Sequence, residues 1–488
     1  MTSRDVSPLG LLPQVEQVDL PKLALDAFRD VFSAERLGSI VAELRIKASG
    51  LQERAVIHIN STAKGGGVAE MLAMLVPYMQ DLGINASWLV IKGDQHFFEI
   101  TKRIHNGLHG FPGDGGALSL PEERHFEKIS EYNAQQIAHT LNPGDIVVFH
   151  DPQTAGMIPI LKKTGILVFW RCHVGADFQE NHCVERAWKF LQPFIAHADK
   201  LIFTKEQFVP KFVAMDKVSI IYPSISAFSP KNQVMSPQTA LAIVQHLGIV
   251  SIVRKENSNP ALDFIRLDGK RSQVHRFADI LHAGPLPNPT DPMILQISRW
   301  DRLKDMSGVM RAFVDFVLPK HKDAYLVLAG PSVHGVSDDP EGAAAYNDCI
   351  SQWRSLPHFQ RARVQLVCLP MRDVDENAAM VNALQTHATI ITQKSLQEGF
   401  GLTVTEALWK RKPVVASAVG GIKDQIQDGI NGLLLKNPRD LESFGHLIND
   451  LLDNTELRNR LAEQGHEFVL NNFLATRHLM DYLRAFSV

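Results

Sequence analysis

The feature that most constrains the fold is a repeated alternation between short apolar runs and stretches with apolar residues at helical spacing. The run Ile146–Phe149 is of the first kind, and the second is illustrated by Val68, Met71, Leu72, Leu75, Met79 and Leu82. Strands that are apolar on both faces are typical of parallel sheets covered by helices on both sides. The sequence therefore predicts an α/β fold.

The apolar runs predict twelve strands in two groups of six. The first group is Ala55–Ile59, Trp88–Ile91, Asp145–His150, Ile166–Arg171, Leu201–Thr204 and Val218–Tyr222. The second group is Ile294–Ile297, Tyr325–Ala329, Val364–Cys368, Thr389–Thr392, Val414–Ala416 and Leu433–Leu435. Open sheets seldom contain twelve strands, so we expect two Rossmann-like domains, each with a parallel sheet, facing a central cleft. Ligands in such domains bind beyond the carboxyl ends of the strands.

The boundary between the domains is predicted where the strand pattern weakens, near residues 223–292. This stretch opens with Pro223-Ser224 and closes with the proline-rich segment Gly284–Pro292. We expect an N-terminal domain at 1–230, a linker or insertion at 231–291 and a C-terminal domain at 292–469. Residues 470–488 follow the predicted C-terminal domain.

Composition narrows the function classes. A formal net charge of -3 over 488 residues provides no basic field for nucleic acid or anionic lipid. The four cysteines form no CxxC pair, so a disulfide framework or a structural zinc site is not expected. The sequence has no apolar run of membrane-helix length and no apolar stretch typical of a signal peptide at its N-terminus. We therefore expect a cytoplasmic protein that binds small molecules. The oligomeric state stays open, a homodimer included.

Polar residues follow the strands of the first half. Gly65, Gly66 and Gly67 lie between a strand and a helix, where backbone amides can bind electron-rich oxygens, although a plain tight turn explains them equally well. His150 and Asp151 follow a buried strand. Arg171 and His173 end the next one and share a face if the chain stays extended. Their side chains could donate hydrogen bonds to sugar hydroxyls or to phosphate. The alternative for His173 is a structural histidine.

In the second half, Arg299 and Lys304 follow the first strand and could neutralise a diphosphate. Without further context they would be read as a solvated basic loop. The context is the segment Glu398–Glu406, in which two glutamates bracket a glycine loop (Gly399, Phe400, Gly401, Leu402) and a helix start. Carboxylates can bind paired sugar hydroxyls, and loop amides with the helix dipole can face phosphate oxygens. Thr405 is predicted as the N-cap of that helix.

Two further patterns resemble metal sites. Asp373-Val-Asp375 has the spacing of a DxD motif, but it lies in a charged, helical stretch and is expected to form a solvated face. His105 and His109 are four residues apart without the glutamate of a metalloprotease pattern. No metal site is predicted.

At these residues the chain resembles a known family. Glu398–Glu406 is similar to the EX7E motif of retaining glycosyltransferase family 4, and Arg299 and Lys304 resemble its phosphate-binding pair. The segments Asn142–Gln153 and Trp170–His173 resemble the branch that contains trehalose glycosyltransferring synthases and trehalose phosphorylases. The resemblance covers about residues 50–470.

The resemblance implies a GT-B fold with a donor-binding C-terminal domain and an acceptor-binding N-terminal domain, onto which residues 470–488 pack back. It implies that Arg299 and Lys304 hold the donor phosphates, Glu406 the ribose and Glu398 the hexose. His173 would lie near the reacting centre, and Asp151 and the Gly65–Gly67 loop would bind the acceptor.

The implied reaction is a retaining transfer of a hexosyl group, with glucosyl as the expected one, from UDP-, ADP- or GDP-glucose to a small sugar, and with glucose as the acceptor it gives trehalose. No cofactor or metal ion is implied. Two alternatives stay open: a trehalose phosphorylase that uses phosphate and glucose 1-phosphate, and a non-catalytic nucleotide-sugar-binding protein.

Overall fold

A computed structural model describes residues 14–63, 67–111, 116–176, 181–252, 261–333 and 340–487. The chain forms two compact units. The first comprises Met1–Ser224 and Ala475–Val488, and the second comprises Ile225–Leu474. Gly65 and Gly66, two of the predicted site residues, lie outside the described part of the chain.

The first unit is built around a seven-stranded sheet. Its strands are β1 (Glu16–Gln17), β2 (Ala55–Asn60), β3 (Asn85–Val90), β4 (Ile146–His150), β5 (Leu167–Cys172), β6 (Lys200–Phe203) and β7 (Val218–Ile220). Its helices are α1 (Ala34–Ser49), α2 (Gly67–Asp81), α3 (Gln95–Leu108), α4 (Leu120–Ile137), α5 (Asp151–Ala155), α6 (Ile158–Leu161) and α7 (His182–Ile195), followed at the end of the chain by the C-terminal helix (Ala475–Phe486). The strand order is β1-β3-β2-β4-β5-β6-β7.

The second unit contains another seven-stranded sheet and a two-stranded hairpin. Its strands are β8 (Asp263–Ile265), β9 (Arg271–Gln273), β10 (Asp279–Leu281), β11 (Met293–Ile297), β12 (Tyr325–Pro331), β13 (Val364–Leu369), β14 (Ile390–Gln393), β15 (Val414–Ser417) and β16 (Leu433–Leu435). Its helices are α8 (Pro237–His246), α9 (Met306–Ala312), α10 (Pro340–Ser355), α11 (His358–Arg361), α12 (Val374–His387), α13 (Leu402–Trp409), α14 (Ile422–Gln425), α15 (Leu441–Asp453) and α16 (Thr455–Asn472). The order of the large sheet is β10-β13-β12-β11-β14-β15-β16.

The twelve predicted strands are confirmed, with ends shifted by at most three residues. The expectation of wholly parallel sheets is corrected, because each sheet carries one antiparallel edge strand, β1 against β3 and β10 against β13. Both edge strands are short and partly polar, so they lack the apolar run that reveals a central strand. The α/β architecture itself is confirmed.

The segment predicted as a linker or insertion, 231–291, contains regular structure within the second unit. Helix α8 packs against α12, and β10 joins the sheet edge. The hairpin β8–β9 is attached by Arg266, which binds Asp373 at 2.7 Å. Asp373 also caps α12 by accepting a hydrogen bond from the backbone N–H of Glu376. The DxD pattern therefore serves a helix start and an ion pair.

The last helix belongs to the first unit and packs against α1 and α2. The ring of Phe486 meets that of Phe169 on β5 at 5.0 Å, and His478 Nδ1 lies 2.9 Å from the hydroxyl of Ser224. Arg477 donates hydrogen bonds to the carbonyls of Tyr222 and Pro223. The end of the chain thus completes the core of the unit that the beginning of the chain forms.

Close packing of α15 provides a test of the second unit. A Cβ at Gly445 would lie 2.4 Å from Cβ of Phe316, in the π-helical turn Phe313–Val317. Gly445→Ala is therefore expected to lower the free energy of unfolding by about 2 kcal/mol through overpacking. Gly38→Ala in α1 is the matched control, because nothing lies within 4 Å of its Cβ and alanine favours a helix by roughly 1 kcal/mol. Urea unfolding of both variants measures the difference, and equal midpoints would contradict the packing.

Candidate active site

The strand order of the second unit reverses between β11 and β14, which places two connections beside a crevice at the carboxyl ends. The loop after β11 contains Arg299 and Lys304, and the loop after β14 contains Glu398. The two loops are joined where the backbone N–H of Leu396 donates to the carbonyl of Leu303 at 2.7 Å. The sheet topology therefore brings together residues that are almost a hundred positions apart.

Lys304 and Glu398 form a direct ion pair at this edge. Lys304 Nζ lies 2.5 Å from Glu398 Oε2, which also accepts hydrogen bonds from Ser395 Oγ at 3.0 Å and Gln393 Nε2 at 3.3 Å. All three donors use the same carboxylate oxygen. Within the described residues no group bonds to the other oxygen, Oε1, so Glu398 keeps an acceptor for a ligand hydroxyl. We call Lys304, Gln393, Ser395 and Glu398 the glutamate–lysine cluster.

Arg299 lies apart from that cluster. Its side chain is 68% exposed and pairs only loosely with Asp301, at 3.3 Å. The structure thus brings Lys304 to Glu398 and leaves the Arg299 guanidinium turned to solvent. An exposed pair of this kind contributes little to stability, so Arg299 is free to bind a ligand anion without loss to the fold.

The glycine loop after Glu398 has a backbone shape that requires glycine. Gly401 has φ 84°, a left-handed conformation, and stands at the N-cap of α13. The prediction of Thr405 as the N-cap is wrong: Thr405 is buried inside the helix and donates to Gln425 Oε1 at 2.5 Å. From the other side, a Cβ at Gly420 would lie 1.7 Å from the carbonyl oxygen of Glu398. The loop is therefore held tightly in place.

Glu406 is buried in the first turns of α13, with Oε1 3.5 Å from Lys231 Nζ. Lys410, one turn further on, donates to Asn232 Oδ1 at 2.9 Å and to the carbonyl of Glu406 at 3.3 Å. Burial lowers the pKa of Lys410 to about 7. No local pattern distinguishes Lys231 and Asn232, and both lie in the segment predicted to be a linker or insertion. Lys410 could have been found from its i,i+4 spacing to Glu406.

A second set of residues missed by sequence reasoning holds the Lys304 loop from beneath. The fully buried Lys394 forms an ion pair with Asp305, whose φ of 47° is unusual for a residue other than glycine. Gln296 on β11 donates to the carbonyl of Lys304 at 2.6 Å and accepts from the backbone N–H of Lys394 at 2.9 Å. Strained backbone held by such a network is typical of functional sites. These residues position Lys304 without facing a ligand.

In the first unit, the strand order reverses between β2 and β4. Gly67 begins α2 directly after the loop that follows β2. Asn60, the last residue of β2, is held by Trp88 Nε1 at 2.7 Å and donates to the carbonyl of Thr62 at 2.8 Å. The start of the loop is therefore fixed by side-chain hydrogen bonds.

Three histidines from neighbouring strands are joined in a row that we call the histidine chain: His58, His150 and His173. His58 Nδ1 lies 3.0 Å from His150 Nε2, and His150 Nδ1 lies 2.9 Å from His173 Nε2. His58 and His150 are fully buried, whereas His173 retains some exposure. His58 was not predicted as a site residue, although the strand that carries it was. The structure confirms that His150 and His173 lie together.

Asp151 has a strained backbone and an unusual acidity. Its φ is 61°, and its Oδ1 accepts the backbone N–H of His173 at 2.8 Å. Burial raises the pKa of Asp151 to about 7, against the opposing effects of that hydrogen bond and of the Arg171 charge. A carboxyl group that titrates near neutral pH is suited to binding a hydroxyl or exchanging a proton.

Arg171 occupies a different place from the one predicted. It is fully buried, and its guanidinium donates to the carbonyls of Ile221 at 2.6 Å and Phe203 at 3.2 Å. Its charge is therefore satisfied by carbonyls at the ends of neighbouring strands. Because Arg171 has no exposed surface, it is not available for direct contact with a sugar. Alternation along a strand gave the correct face but could not show how deeply that face is covered.

Neither a metal-binding cluster nor a membrane-spanning helix occurs in the part of the chain that the structure describes. No group of three or more histidine, cysteine, aspartate or glutamate side chains with metal-binding geometry occurs among the described residues. In the same part of the chain, no helix combines the length and apolar character needed to cross a bilayer.

Comparisons with known proteins agree with this geometry. Residues 58–210 match the family model of the trehalose synthase N-terminal domain, and residues 278–468 match that of glycosyl transferases group 1. The trehalose phosphorylase of Pleurotus pulmonarius is 25% identical over 90% of this chain and 57% of its own length. Among solved structures, trehalose-6-phosphate from E. coli bound with UDP-2-fluoro glucose has a TM-score of 0.64 at 12% identity, covering 89% of this chain and 99% of that chain. This similarity shows a GT-B fold.

The trehalose synthase of Thermococcus litoralis is 33% identical over 462 residues, which cover 94% of this chain and 95% of the relative. A match of this extent, together with the glycosyl transferases group 1 model, shows that the chain is a glycosyltransferase enzyme and belongs to the trehalose synthase family.

Proposed function

We propose that the protein transfers a glucosyl group from a nucleoside diphosphate glucose to glucose, with retention of configuration, and so forms trehalose. The observation that carries this proposal is the glutamate–lysine cluster at the β11/β14 crevice, where a cation and a carboxylate with an available oxygen lie side by side. Trehalose is proposed as the product because the similar relative is a trehalose synthase, and a UDP-linked donor because the E. coli neighbour is bound with UDP-2-fluoro glucose.

Positively charged side chains bind the phosphates of the donor, and carboxylates bind its hydroxyls. Lys304 and the exposed Arg299 bind the diphosphate. The ammonium of Lys304 acts as a compact charge, whereas the planar guanidinium of Arg299 can donate two hydrogen bonds at once. The amides of Gly399–Leu402 and the N-terminus of α13 add further donors. Glu398 accepts a hexose hydroxyl through Oε1, and the buried Glu406 accepts the ribose hydroxyls.

Transfer breaks the bond between the anomeric carbon and the phosphate oxygen and forms a bond to the acceptor oxygen on the same face. Lys304 and Arg299 stabilise the negative charge that develops on the departing phosphate, which is often the largest catalytic effect. The acceptor's proton passes to an oxygen of that phosphate, so no covalent enzyme intermediate and no metal ion are required.

The acceptor is assigned to the first unit. Asp151 binds a hydroxyl of the acceptor sugar beside His173, with the Gly65–Gly67 loop as a further contact. The donor is UDP-, ADP- or GDP-glucose, and the proposed location is the cytoplasm.

A trehalose phosphorylase is the second candidate, favoured by the similarity to the Pleurotus protein. It would use the same phosphate-binding groups for inorganic phosphate. The higher identity to the Thermococcus litoralis trehalose synthase, 33% against 25%, favours the synthase.

A donor-by-acceptor product screen by mass spectrometry tests the proposal. The purified chain is incubated with UDP-, ADP- or GDP-glucose and glucose, and separately with trehalose and phosphate. Trehalose from the first mixtures supports a synthase, whereas glucose 1-phosphate from the second indicates a phosphorylase. The absence of any transfer product from every mixture would refute both reactions.

Replacing the carboxylate of the cluster should remove catalysis and leave the fold intact. Glu398→Gln is expected to lower kcat by about 100-fold or more, because a preorganised charge is lost at the reacting centre. The control is Glu442→Gln, since Glu442 forms only an exposed pair with His446. Steady-state kinetics and thermal unfolding are measured on both. Full activity of Glu398→Gln would remove this residue from the site.

Acceptor binding is expected to strengthen as pH rises through about 7, because the pKa of Asp151 is raised to that value and the carboxylate is the better acceptor. Kinetics from about pH 5.5 to 8.5 should show kcat/KM for the acceptor rising, and Asp151→Asn should lose this rise. Donor must be saturating, because the pKa of Lys410 in the second unit is also lowered to about 7. An unchanged inflection in Asp151→Asn would assign it to another group.

A further inference from the structure

The histidine chain is a consequence of strand register. His58 lies opposite Val148 in the β2–β4 pair, and His150 lies opposite Arg171 in the β4–β5 pair. Side chains two positions apart share a face, so each step from strand to strand moves two residues toward the carboxyl edge. His58, His150 and His173 therefore line up on one face of the sheet, next to Arg171.

The rings meet edge to edge. The centroids of His150 and His173 are 5.2 Å apart with planes only 13° apart, and those of His58 and His150 are 5.3 Å apart. The planes of His58 and His150 are 30° apart. Together with nitrogen–nitrogen distances of 2.9 and 3.0 Å, these centroid distances fit N–H···N hydrogen bonds between the edges of adjacent rings.

Arg171 gives this row of hydrogen bonds a direction. Its Nε lies 3.5 Å from His173 Nδ1, and a guanidinium can only donate. His173 Nδ1 must then accept, so the His173 proton is on Nε2 and is donated to His150 Nδ1. By the same rule His150 Nε2 donates to His58 Nδ1. The opposite order would place two N–H groups face to face at Arg171.

The other end of the row lies under the C-terminal helix. This order puts a proton on His58 Nε2, which is buried and has no hydrogen-bond partner among the described residues. The ring of Tyr482 stands edge-on to His58 with a centroid distance of 5.7 Å, and its buried hydroxyl likewise has no partner in the described part of the chain. The C-terminal helix therefore encloses the His58 end of the histidine chain.

The row carries no charge at neutral pH. Burial is the main cause that lowers the pKa of His58 to about 3 and the pKa of His150 and of His173 well below its usual value. The nearby Arg171 charge lowers the pKa of His173 further. The rings are therefore neutral hydrogen-bonding groups.

We propose that Arg171, His150 and His58 are positioning residues that hold His173 as a neutral ring with its proton on Nε2 and both ring nitrogens turned into the first unit. The backbone N–H of His173 donates to Asp151 Oδ1, so the same row orients the acceptor-side carboxylate. His173 then supplies no ring proton to the substrate. The effect on turnover rests on the proposed function, whereas the proton position does not.

The proton position is measured by long-range ¹H–¹⁵N NMR on the full chain labelled at its histidines. The chain has 20 histidines, so signals are assigned by their loss in His58→Gln, His150→Gln and His173→Asn. We expect His173 to show a protonated Nε2 and an unprotonated Nδ1 throughout about pH 6–8. A protonated Nδ1, or a doubly protonated ring, would overturn the proposal whatever reaction the enzyme catalyses.

Kinetics of two matched variants test the positioning role. Glutamine at 150 can accept from His173 and donate to His58, whereas leucine can do neither. His150→Leu is expected to lower kcat by about 100-fold, the cost of a small misplacement at a reacting centre, and His150→Gln should restore most of it. Both variants should keep the KM for the donor and the affinity for UDP, measured by calorimetry, because the proposed donor-binding residues belong to the other unit.

The outcomes separate the two ideas. If His150→Leu and His150→Gln have equal kcat, the hydrogen-bond row does not position His173 and the inference fails. If the wild type shows no transfer and no UDP binding but the expected proton position, the proposed function fails and the inference about His173 stands. Should His150→Leu fail to fold, the wild-type NMR measurement still decides.

Discussion

The arrangement of the candidate site depends on one constraint: parallel strands end at the same edge of a sheet. In both units the strand order reverses once, between β2 and β4 and between β11 and β14, and the loops leave that point in opposite directions. His150 ends β4 and Asp151 follows it, whereas Lys304 and Glu398 lie in the loops that follow β11 and β14. A shift of one residue in the β2–β4 or β4–β5 pairing would turn His58 or His150 to the opposite face and break the histidine chain.

The sequence predicted the central strands because a strand covered on both faces must be apolar along its whole length. Strand β4 is fully buried and reads Ile-Val-Val-Phe-His, which no surface element would tolerate. The edge strand β1, Glu16–Gln17, is exposed and has no such signal. It is a strand only because β3 offers it a backbone partner, and pairing of this kind depends on tertiary structure that no local pattern contains.

The site was predictable where the chemistry is local and not where it depends on packing. Glu398 and Glu406 were found from their spacing around a glycine loop. The prediction of Thr405 as an N-cap relied only on the preference of threonine for that position. The helix instead begins after Gly401, which adopts a left-handed conformation that threonine rarely adopts. Arg171 was misjudged because strand alternation gives the face of a side chain and not what covers it; the C-terminal helix, some three hundred residues later, does so.

The two units treat buried charge in opposite ways. In the second unit Lys394 is fully buried against Asp305, so removing Asp305 would leave an uncompensated buried charge, and the partly exposed Lys304 is paired with Glu398. In the first unit, the Arg171 charge is spread over strand-end carbonyls and helps to keep the neighbouring histidines neutral. This difference matches the proposed ligands: an anionic diphosphate needs preorganised cations, whereas an uncharged sugar acceptor is better oriented by neutral hydrogen bonds, because a free cation there would compete for the phosphate.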